Sequence, residues 1–515
     1  MRKQSLRFLI LTLIGMLIYS CQKEDDILEQ TPISQHPTEG MMKLGKQLEN
    51  PYSVENMRKA LNNLKKKGVS AKSSGDEIEI TTTHLYVKFM PKNEEELSIL
   101  KRDSTLVLYT YPLDYEIEEN GDFYRDSEVP SDQPSYQYCA VKKGKELPND
   151  VENEILEELF IPDEDKDKEN SANKKSIPYE IIETLVDEAL RITGNLEEEE
   201  KENNLASKSL RRSKWRPSGK ITMNDDNIGN IGIQGLKIRA RRWFTTHRGF
   251  TNTRGEFSCD GRFRGKARYR LDWERYHFAL RSGGFSSAEK KGPRGRKKSW
   301  NWHITSGEHK YYATIFRAAY HYYYKNNKGL RRPPQNSFWR TQMRIGAFTQ
   351  TKDDKSGVHS NVWRAFGLST PIKIYAYANS SQQVYATTIH ELAHASHWNM
   401  DRSDFNDTES KVKESWARGV QWELTRMTYS NYRGGSTFRP KYTQVVADMI
   451  DLPSSFNHNE GSEILSQDNV QGYTIRQIED ALKHKETWND WRNNIKNKYN
   501  NGTENNLDAL FNHWD

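Results

Sequence analysis

The stretch IKIYAYANSSQQVYATTIHELAHASHWNM, residues 372–400, contains the pattern that organises the rest of the chain. Its H-E-x-x-H motif at 390–394 places His390 and His394 four residues apart. On a helix such residues share one face, so both imidazoles can bind one Zn²⁺ at about 2.0–2.1 Å. Glu391 lies beside them, where a carboxylate can take a proton from water at the metal. The motif also arises by chance on helices with two ordinary histidines, so its neighbours decide its meaning.

The residues before the motif predict a strand followed by a capped helix. Residues 372–377 alternate apolar and polar side chains, which is typical of a strand. Ser380 with Gln383 three residues later forms the pattern of a capping box, so we expect the helix to begin there. Because an extended peptide can pair with an exposed strand, residues 372–377 are predicted to be an edge strand that holds a substrate.

A third metal ligand is predicted on a second helix. Residues 408–429 carry apolar side chains at helical spacing, and Glu414 lies outside that apolar stripe, 20 residues after His394. Glu409 is the alternative carboxylate. Its helix phase places it near the apolar stripe, so Glu414 is favoured.

His390, Glu391 and His394 followed by Glu414 resemble the gluzincin class of zinc metallopeptidases. The resemblance implies that His390, His394 and Glu414 bind one Zn²⁺ per chain, with water in the fourth position. It also implies that Glu391 is the general base.

His397 lies on the same helical face as the two predicted histidine ligands. It is about 10 Å from His390 along the axis at 1.5 Å per residue, so both cannot easily bind one ion. We interpret His397 as a core or supporting residue. The metzincin class of zinc peptidases is excluded, because it requires glycine where His397 stands and histidine where Met400 stands.

A zinc peptidase also needs a donor that stabilises the oxyanion. The candidates are Tyr429, Tyr442, Tyr473 and His484.

The N-terminus resembles a bacterial lipoprotein signal. A basic start is followed by an apolar run at 8–19 that is too short to span a bilayer comfortably. Residues 17–21, Leu-Ile-Tyr-Ser-Cys, resemble a lipobox with cleavage before Cys21, although Tyr19 departs slightly from the usual pattern. The acidic residues that follow, within 22–26, resemble an export signal to the outer face of the outer membrane. We therefore expect a lipid-anchored, surface-exposed protein. The alternative is an ordinary secretory signal with an incidental cysteine.

Length and composition predict a multidomain α+β protein. The chain has 515 residues, 29% charged and 11% aromatic, a net charge of +6 and three cysteines, too few for a disulfide framework. We expect a small N-terminal α/β domain, a central β-sandwich, and a C-terminal, mainly helical, zincin-like catalytic domain with an edge strand. The predicted segments are 1–20 signal peptide, 21–75 tether with a short helix, 76–205 small α/β domain with an acidic linker, 208–303 basic β-sandwich, and 304–515 metallopeptidase domain. Predicted strands include 77–89, 106–111 and 136–141, and predicted helices 52–67, 94–101, 151–160, 177–192, 308–326, 441–450, 474–483 and 487–499.

The central segment is basic and rich in turns. The order Gly-x-x-Gly-Ile-x-Gly-Leu-Lys-Ile at 229–238, then Thr-Asn-x-x-Gly-x-Phe at 251–257, resembles the carboxypeptidase-regulatory or transthyretin-like sandwich, with Asn252 where that family usually has aspartate. Alternating basic residues are expected to share one face of a strand. They are Arg262, Arg264, Lys266, Arg268 and Arg270.

Two interpretations of this basic face stay open. The favoured one is a solvated face that offsets the acidic residues between 150 and 202, themselves interpreted as a solvated linker. The alternative is a surface for an anionic glycan or lipopolysaccharide. The acidic segment has its own alternative, an inhibitory prosegment or a domain that docks on the basic one. Nucleic acid is not expected as a partner, because the aromatic residues are not arranged as stacking platforms.

Taken together, these patterns predict a zinc-dependent peptidase at the bacterial cell surface that hydrolyses peptide bonds of proteins or glycoproteins. The alternative is a surface adhesin or glycan-binding lipoprotein whose metal site is structural or vestigial. A metal-dependent hydrolase with a non-peptide substrate is a third possibility.

Overall fold

The protein is a mixed α+β, multidomain chain, as predicted. The predicted signal with Cys21 and residues 163–178 and 197–202 of the acidic segment lie outside the residues described. The described part of that segment contains a strand at Asn153–Leu159 and a helix at Tyr179–Ile192, so the linker interpretation is wrong there. None of the helices described combines the length and the apolar character needed to cross a bilayer. The computed structural model describes residues 41–68, 72–73, 76–119, 124–130, 133–162, 179–196, 214–283, 286–336, 342–350, 356–359, 370–434, 441–451 and 469–515.

The N-terminal unit is a small sheet with helices on both faces. Strand β4 is central in an antiparallel sheet of order β6-β4-β7. Because alternate residues of a strand point to opposite faces, Tyr86 packs with helices α1 and α3, whereas Val87 and Phe89 pack with α2. The elements are β1 (Lys43–Gln47), α1 (Val54–Lys66), β2 (Lys72–Ser73), β3 (Asp76–Glu77), β4 (His84–Phe89), α2 (Glu94–Arg102), β5 (Tyr115–Glu119), β6 (Gln137–Lys142), β7 (Asn153–Leu159) and α3 (Tyr179–Ile192).

Three predictions for this unit are wrong. The apolar spacing of residues 151–160 predicts a helix, but Asn153–Leu159 form strand β7. Pairing with β4 satisfies the backbone of this segment, and Ile155 stays 53% exposed. Residues 106–111 do not form a strand, and Tyr109 makes only an isolated bridge with Tyr138. The single strand expected at 77–89 is divided into β3 and β4.

Two sheets face each other in the middle of the chain. One has the order β11-β10-β13-β16 and the other β12-β8-β17, with β9 paired to β8. Aromatic rings join them, since Tyr269 lies 6.0 Å from Phe257 and 5.8 Å from Trp300 between ring centroids. The strands are β8 (Ser218–Asp225), β9 (Gly229–Gly232), β10 (Lys237–Arg242), β11 (Thr245–Phe250), β12 (Glu256–Ser258), β13 (Ala267–Asp272), β16 (Glu289–Gly295) and β17 (Trp300–Ile304).

A third sheet supports the helices of the C-terminal part. Its order is β15-β14-β18-β20-β19, with β14, β18 and β20 parallel and the two outer strands antiparallel. The predicted helices of this part are confirmed, with small differences at their ends. The elements are β14 (Phe278–Ser282), β15 (Ser286–Ser287), α4 (Gly307–Tyr324), β18 (Met343–Ala347), β19 (Gly357–His359), β20 (Ile372–Ile374), α5 (Ser381–Met400), α6 (Ser410–Arg426), α7 (Val445–Ile450), α8 (Ile475–Leu482), α9 (Trp488–Lys498), a 3₁₀ turn (Glu504–Asn506) and α10 (Leu507–His513).

One hydrophobic core runs through the sandwich and the C-terminal part, from Trp215 to Phe511. Strand β14 comes from the segment predicted to belong to the sandwich, yet it pairs with β18 of the third sheet. The two parts therefore share both a core and a sheet.

The basic face of β10 and β13 packs against the N-terminal unit. Arg239 donates to the carbonyl oxygen of Leu108 at 2.7 Å, and its guanidinium lies 4.6 Å from the ring centroid of Tyr109. Arg264 and Arg270 are buried, so the solvated-face interpretation is wrong for these two residues. Their side chains pair with carboxylates instead, because a buried guanidinium needs a compensating charge.

Helices α6 and α7 approach closely at Gly419. A Cβ at this position would overlap the side chain of Val446, which is fully buried. Overpacking costs about 1–3 kcal/mol, and the better helix propensity of alanine returns up to about 1 kcal/mol. We expect Gly419→Ala to lower the free energy of unfolding by about 1–2 kcal/mol, measured by urea denaturation.

The matched control is the double variant Gly419→Ala with Val446→Ala, which restores the space. The double variant should lose less unfolding free energy than the two single variants lose together. Losses that add up would show that the two side chains do not meet.

Candidate metal centre

The helix that carries the motif is fixed at its first turn. Ser380 and Gln383 form the predicted capping box, which satisfies amides that have no partner within the helix. The backbone N–H and the hydroxyl of Ser381 both donate to Asp226 Oδ2 at 2.9 Å. Because Asp226 follows strand β8, the sandwich holds the start of the helix in place.

A buried hydrogen-bond chain fixes the same helix laterally. The carbonyl of Asn326 can only accept, so His321 Nε2 donates to it at 3.0 Å. His321 Nδ1 therefore accepts from the hydroxyl of Tyr385 at 2.6 Å, and Tyr385 Oη also lies 3.0 Å from Thr428 Oγ1. The chain connects α4, α5 and the end of α6.

The three predicted ligands meet between α5 and α6. His390 Nε2 lies 3.1 Å from both His394 Nε2 and Glu414 Oε2, and His394 Nε2 lies 3.2 Å from Glu414 Oε2. A tetrahedral zinc ion with ligands at about 2.0–2.1 Å separates its ligand atoms by about 3.3 Å. Two imidazole nitrogens and one carboxylate oxygen at this spacing therefore fit Zn²⁺ in both chemistry and geometry.

Helix α6 presents Glu414 because its apolar side chains face inward. Val412 and Trp416 are buried on either side of Glu414 in sequence, which leaves its carboxylate directed at the two histidines. Burial alone would raise the pKa of Glu414. The charge of His394 and the hydrogen bonds with both histidines outweigh that effect and hold the pKa well below its usual range.

Glu409, the alternative carboxylate, lies elsewhere. It precedes the first residue of α6, and its Oε2 accepts from the backbone N–H of Trp488 at 2.9 Å. It joins α6 to the start of α9 rather than reaching the histidines.

Glu391 is buried beside the three ligands. Burial raises its pKa to about 7, while His390 lowers the pKa and Glu414 raises it further. The backbone of Gly357 presses against this carboxylate, because a Cβ there would lie 2.6 Å from Glu391 Oε1. Sequence reasoning missed Gly357, since nothing in the pattern around it indicates a contact with the motif.

The predicted edge strand is in the wrong position. Residues 372–377 contribute the short strand β20, which lies inside the third sheet between β18 and β19. The outer strand next to the motif is β19. Its Gly357 contacts Glu391, so the sheet edge, the carboxylate and the predicted ligands are neighbours.

His397 lies in the core, in agreement with the sequence interpretation. Its ring packs edge-on against Phe405 with centroids 5.0 Å apart. Burial, with the charges of His394 and Lys413, lowers its pKa to about 3, so the ring is neutral.

The four oxyanion candidates are placed differently. Tyr429 donates to Asp225 Oδ2 at 2.6 Å in the interior, and Tyr473 is buried. His484 pairs with acidic residues beyond the C-terminal end of α5. The ring of Tyr442 lies 6.2 Å from that of His390, centroid to centroid, which makes Tyr442 the candidate next to the predicted ligands.

Comparison with family models, with curated proteins and with solved structures found no match to this chain. The resemblance to gluzincins therefore rests on the motif, and zinc binding stays a prediction supported by the geometry.

Removal of the carboxylate ligand provides a direct test. We expect Glu414→Ala to lose one equivalent of bound zinc relative to the wild type, because two imidazoles alone form an incomplete site. Zinc is measured by atomic emission after gel filtration. Glu409→Gln is the matched control and should keep the wild-type zinc content; a similar loss in both variants would contradict the assignment.

His321 gives a test by pH. Burial lowers its pKa to about 4, although its hydrogen bond to Asn326 opposes the shift. The unfolded chain takes up a proton near pH 6.5, whereas the folded chain keeps His321 neutral down to about pH 4. The stability that the neutral ring contributes is therefore present above pH 6.5 and is lost as pH falls towards 4. Between pH 7 and 5 we expect the wild type to lose about 2 kcal/mol more unfolding free energy than His321→Gln. Parallel losses would show that His321 is not held neutral.

Proposed function

We propose that the protein is a zinc-dependent peptidase. The observation that carries this proposal is the convergence of His390, His394 and Glu414, with the buried carboxylate of Glu391 beside them under a sheet edge. A structural zinc site needs neither a buried base nor a strand beside it that is outermost among the strands described. Zinc bound there would polarise the scissile carbonyl and lower the pKa of a water.

The residues of this chain would then act in distinct roles. Glu391 takes the proton of the attacking water and passes it to the leaving amine, and its burial favours the protonated form between the two steps. Strand β19 aligns an extended peptide through backbone hydrogen bonds on its outer edge. Gly357 keeps that peptide close to the base, because any side chain there would displace the carboxylate.

Tyr442 is our proposed donor to the developing oxyanion. Its ring lies 6.2 Å from that of His390 between centroids, and a phenol O–H is a suitable donor to an oxyanion. Tyr429 is less suitable, because its hydroxyl is already bound to Asp225 and lies within the core.

The location and further partners rest on sequence alone. We propose a lipid-anchored protein on the outer membrane, attached through Cys21, which acts on protein or glycoprotein substrates. Contact with an anionic glycan through the basic sandwich remains the alternative function, but it would have to use basic residues other than the buried Arg264 and Arg270.

The decisive experiment separates the base from the metal. We expect Glu391→Gln to keep the wild-type zinc content and to lower kcat/KM about 10²–10⁴-fold, the range that general acid–base catalysis supplies. Cleavage is measured on fluorescent casein and on a quenched peptide library. Glu486→Gln makes the same chemical change at an exposed position and should leave cleavage unchanged.

Two outcomes would contradict the proposal. One is a zinc-loaded wild type that cleaves neither substrate, which would leave a binding protein or a hydrolase of other bonds. The other is equal cleavage by Glu391→Gln and the wild type.

A further inference from the structure

A second group of potential ligands lies beyond the C-terminal end of α5. Asp401, Asp404 and His484 each place one donor atom within 4.8 Å of the others. His484 Nδ1 lies 2.8 Å from Asp401 Oδ1 and 2.8 Å from Asp404 Oδ2. One imidazole nitrogen and two carboxylate oxygens from separate parts of the chain thus converge on one point.

A simple ion pair does not satisfy this group. His484 Nδ1 has at most one hydrogen, and its hydrogen-bond geometry is met with Asp404. Asp401 is 1% exposed, and its Oδ1 has no hydrogen-bond donor among the described residues. Its other oxygen, Oδ2, accepts from the backbone N–H of His484 at 2.6 Å. A buried carboxylate oxygen without a donor is costly, and this one points at the imidazole nitrogen.

The backbone holds these side chains in place. Asp401 ends α5, with its N–H bound to His397 O at 3.0 Å, and its own carbonyl accepts from Phe405 N at 3.0 Å. The carbonyl of Asp404 accepts from both the N–H and the hydroxyl of Thr408 at 2.9 Å. The turn that carries the two acids is therefore fixed by backbone hydrogen bonds before any ligand arrives.

His484 has a strained backbone that directs its ring at the acids. Its φ is +59°, a region that residues other than glycine rarely adopt. Such strain costs about 1–3 kcal/mol and persists where surrounding contacts enforce it. The hydrogen bond from its N–H to Asp401 is one contact that does so.

We propose that Asp401, Asp404 and His484 form a second divalent-cation site. One imidazole with two carboxylates suits a borderline cation such as Zn²⁺ better than Ca²⁺, which prefers oxygen ligands alone. The His484 side chain is 58% exposed, so water can complete the coordination. The bound ion joins the end of α5 to the loop after α8, and this proposal does not depend on peptidase activity.

The test uses the full chain with the first site removed. In His390→Ala/His394→Ala, dialysed against Zn²⁺ after treatment with a chelator, we expect one equivalent of zinc to remain. Adding His484→Gly should remove it, and glycine adopts the positive φ without strain, so the fold is kept. Adding Asp404→Asn instead should weaken zinc binding at least tenfold. Adding Asp407→Asn, an exposed acid three residues away, should change nothing.

Thermal unfolding supplies a second readout. Zn²⁺ should raise the unfolding temperature of the double-alanine protein, because a ligand that binds only the folded state stabilises it, and the rise should be absent after His484→Gly. The proposal is overturned if the double-alanine protein retains no zinc. It is equally overturned if the retained zinc is unaffected by both His484→Gly and Asp404→Asn. Failure of the first site would appear separately, as unchanged zinc content in Glu414→Ala.

Discussion

The convergence of His390, His394 and Glu414 on one point is the constraint on which the rest of this structure depends. Their three ligand atoms lie 3.1–3.2 Å apart in a partly buried space, so shared protons or a cation must lie between them. The surrounding fold holds them there by independent means. The capping box and Asp226 fix the start of α5, the Tyr385 chain fixes its flank, and the apolar stripe of α6 orients Glu414.

The second determinant is the close contact between Glu391 and strand β19. Gly357 lets the backbone lie against the carboxylate, and burial raises the pKa of the acid to about 7. Under the proposed function, a base in direct contact with a sheet edge would combine proton transfer with substrate alignment in one small space. This arrangement is the reason for proposing a peptidase rather than a purely structural metal site.

Local sequence signals predicted what local interactions determine. The capping box, the spacing of His390 and His394, and the phase of Glu414 depend on one helix turn at a time, and each is found in the structure. The edge of the third sheet could not be predicted, because it depends on which strand takes the outermost position. That strand, β19, has only a few residues and therefore a weak sequence signal. The prediction for residues 151–160 is wrong for a related reason. Their apolar spacing fits a helix, but pairing with β4 makes the segment a strand. The burial of Arg270 could not be predicted from its own segment, because the N-terminal unit that covers it is distant in sequence.

The pairing of β14 with β18 has a consequence for how this protein can be divided or recombined. A β-sandwich that accompanies an enzyme is usually an exchangeable module, joined by a linker that few contacts cross. Here a strand supplied before α4 is hydrogen-bonded to one supplied after it, and a single apolar interior continues across both parts. Separating them would expose an unpaired strand edge, which is prone to aggregation. The two parts therefore share one interior, and we expect a fragment that retains the histidines to need the strands from β8 onward to keep its core.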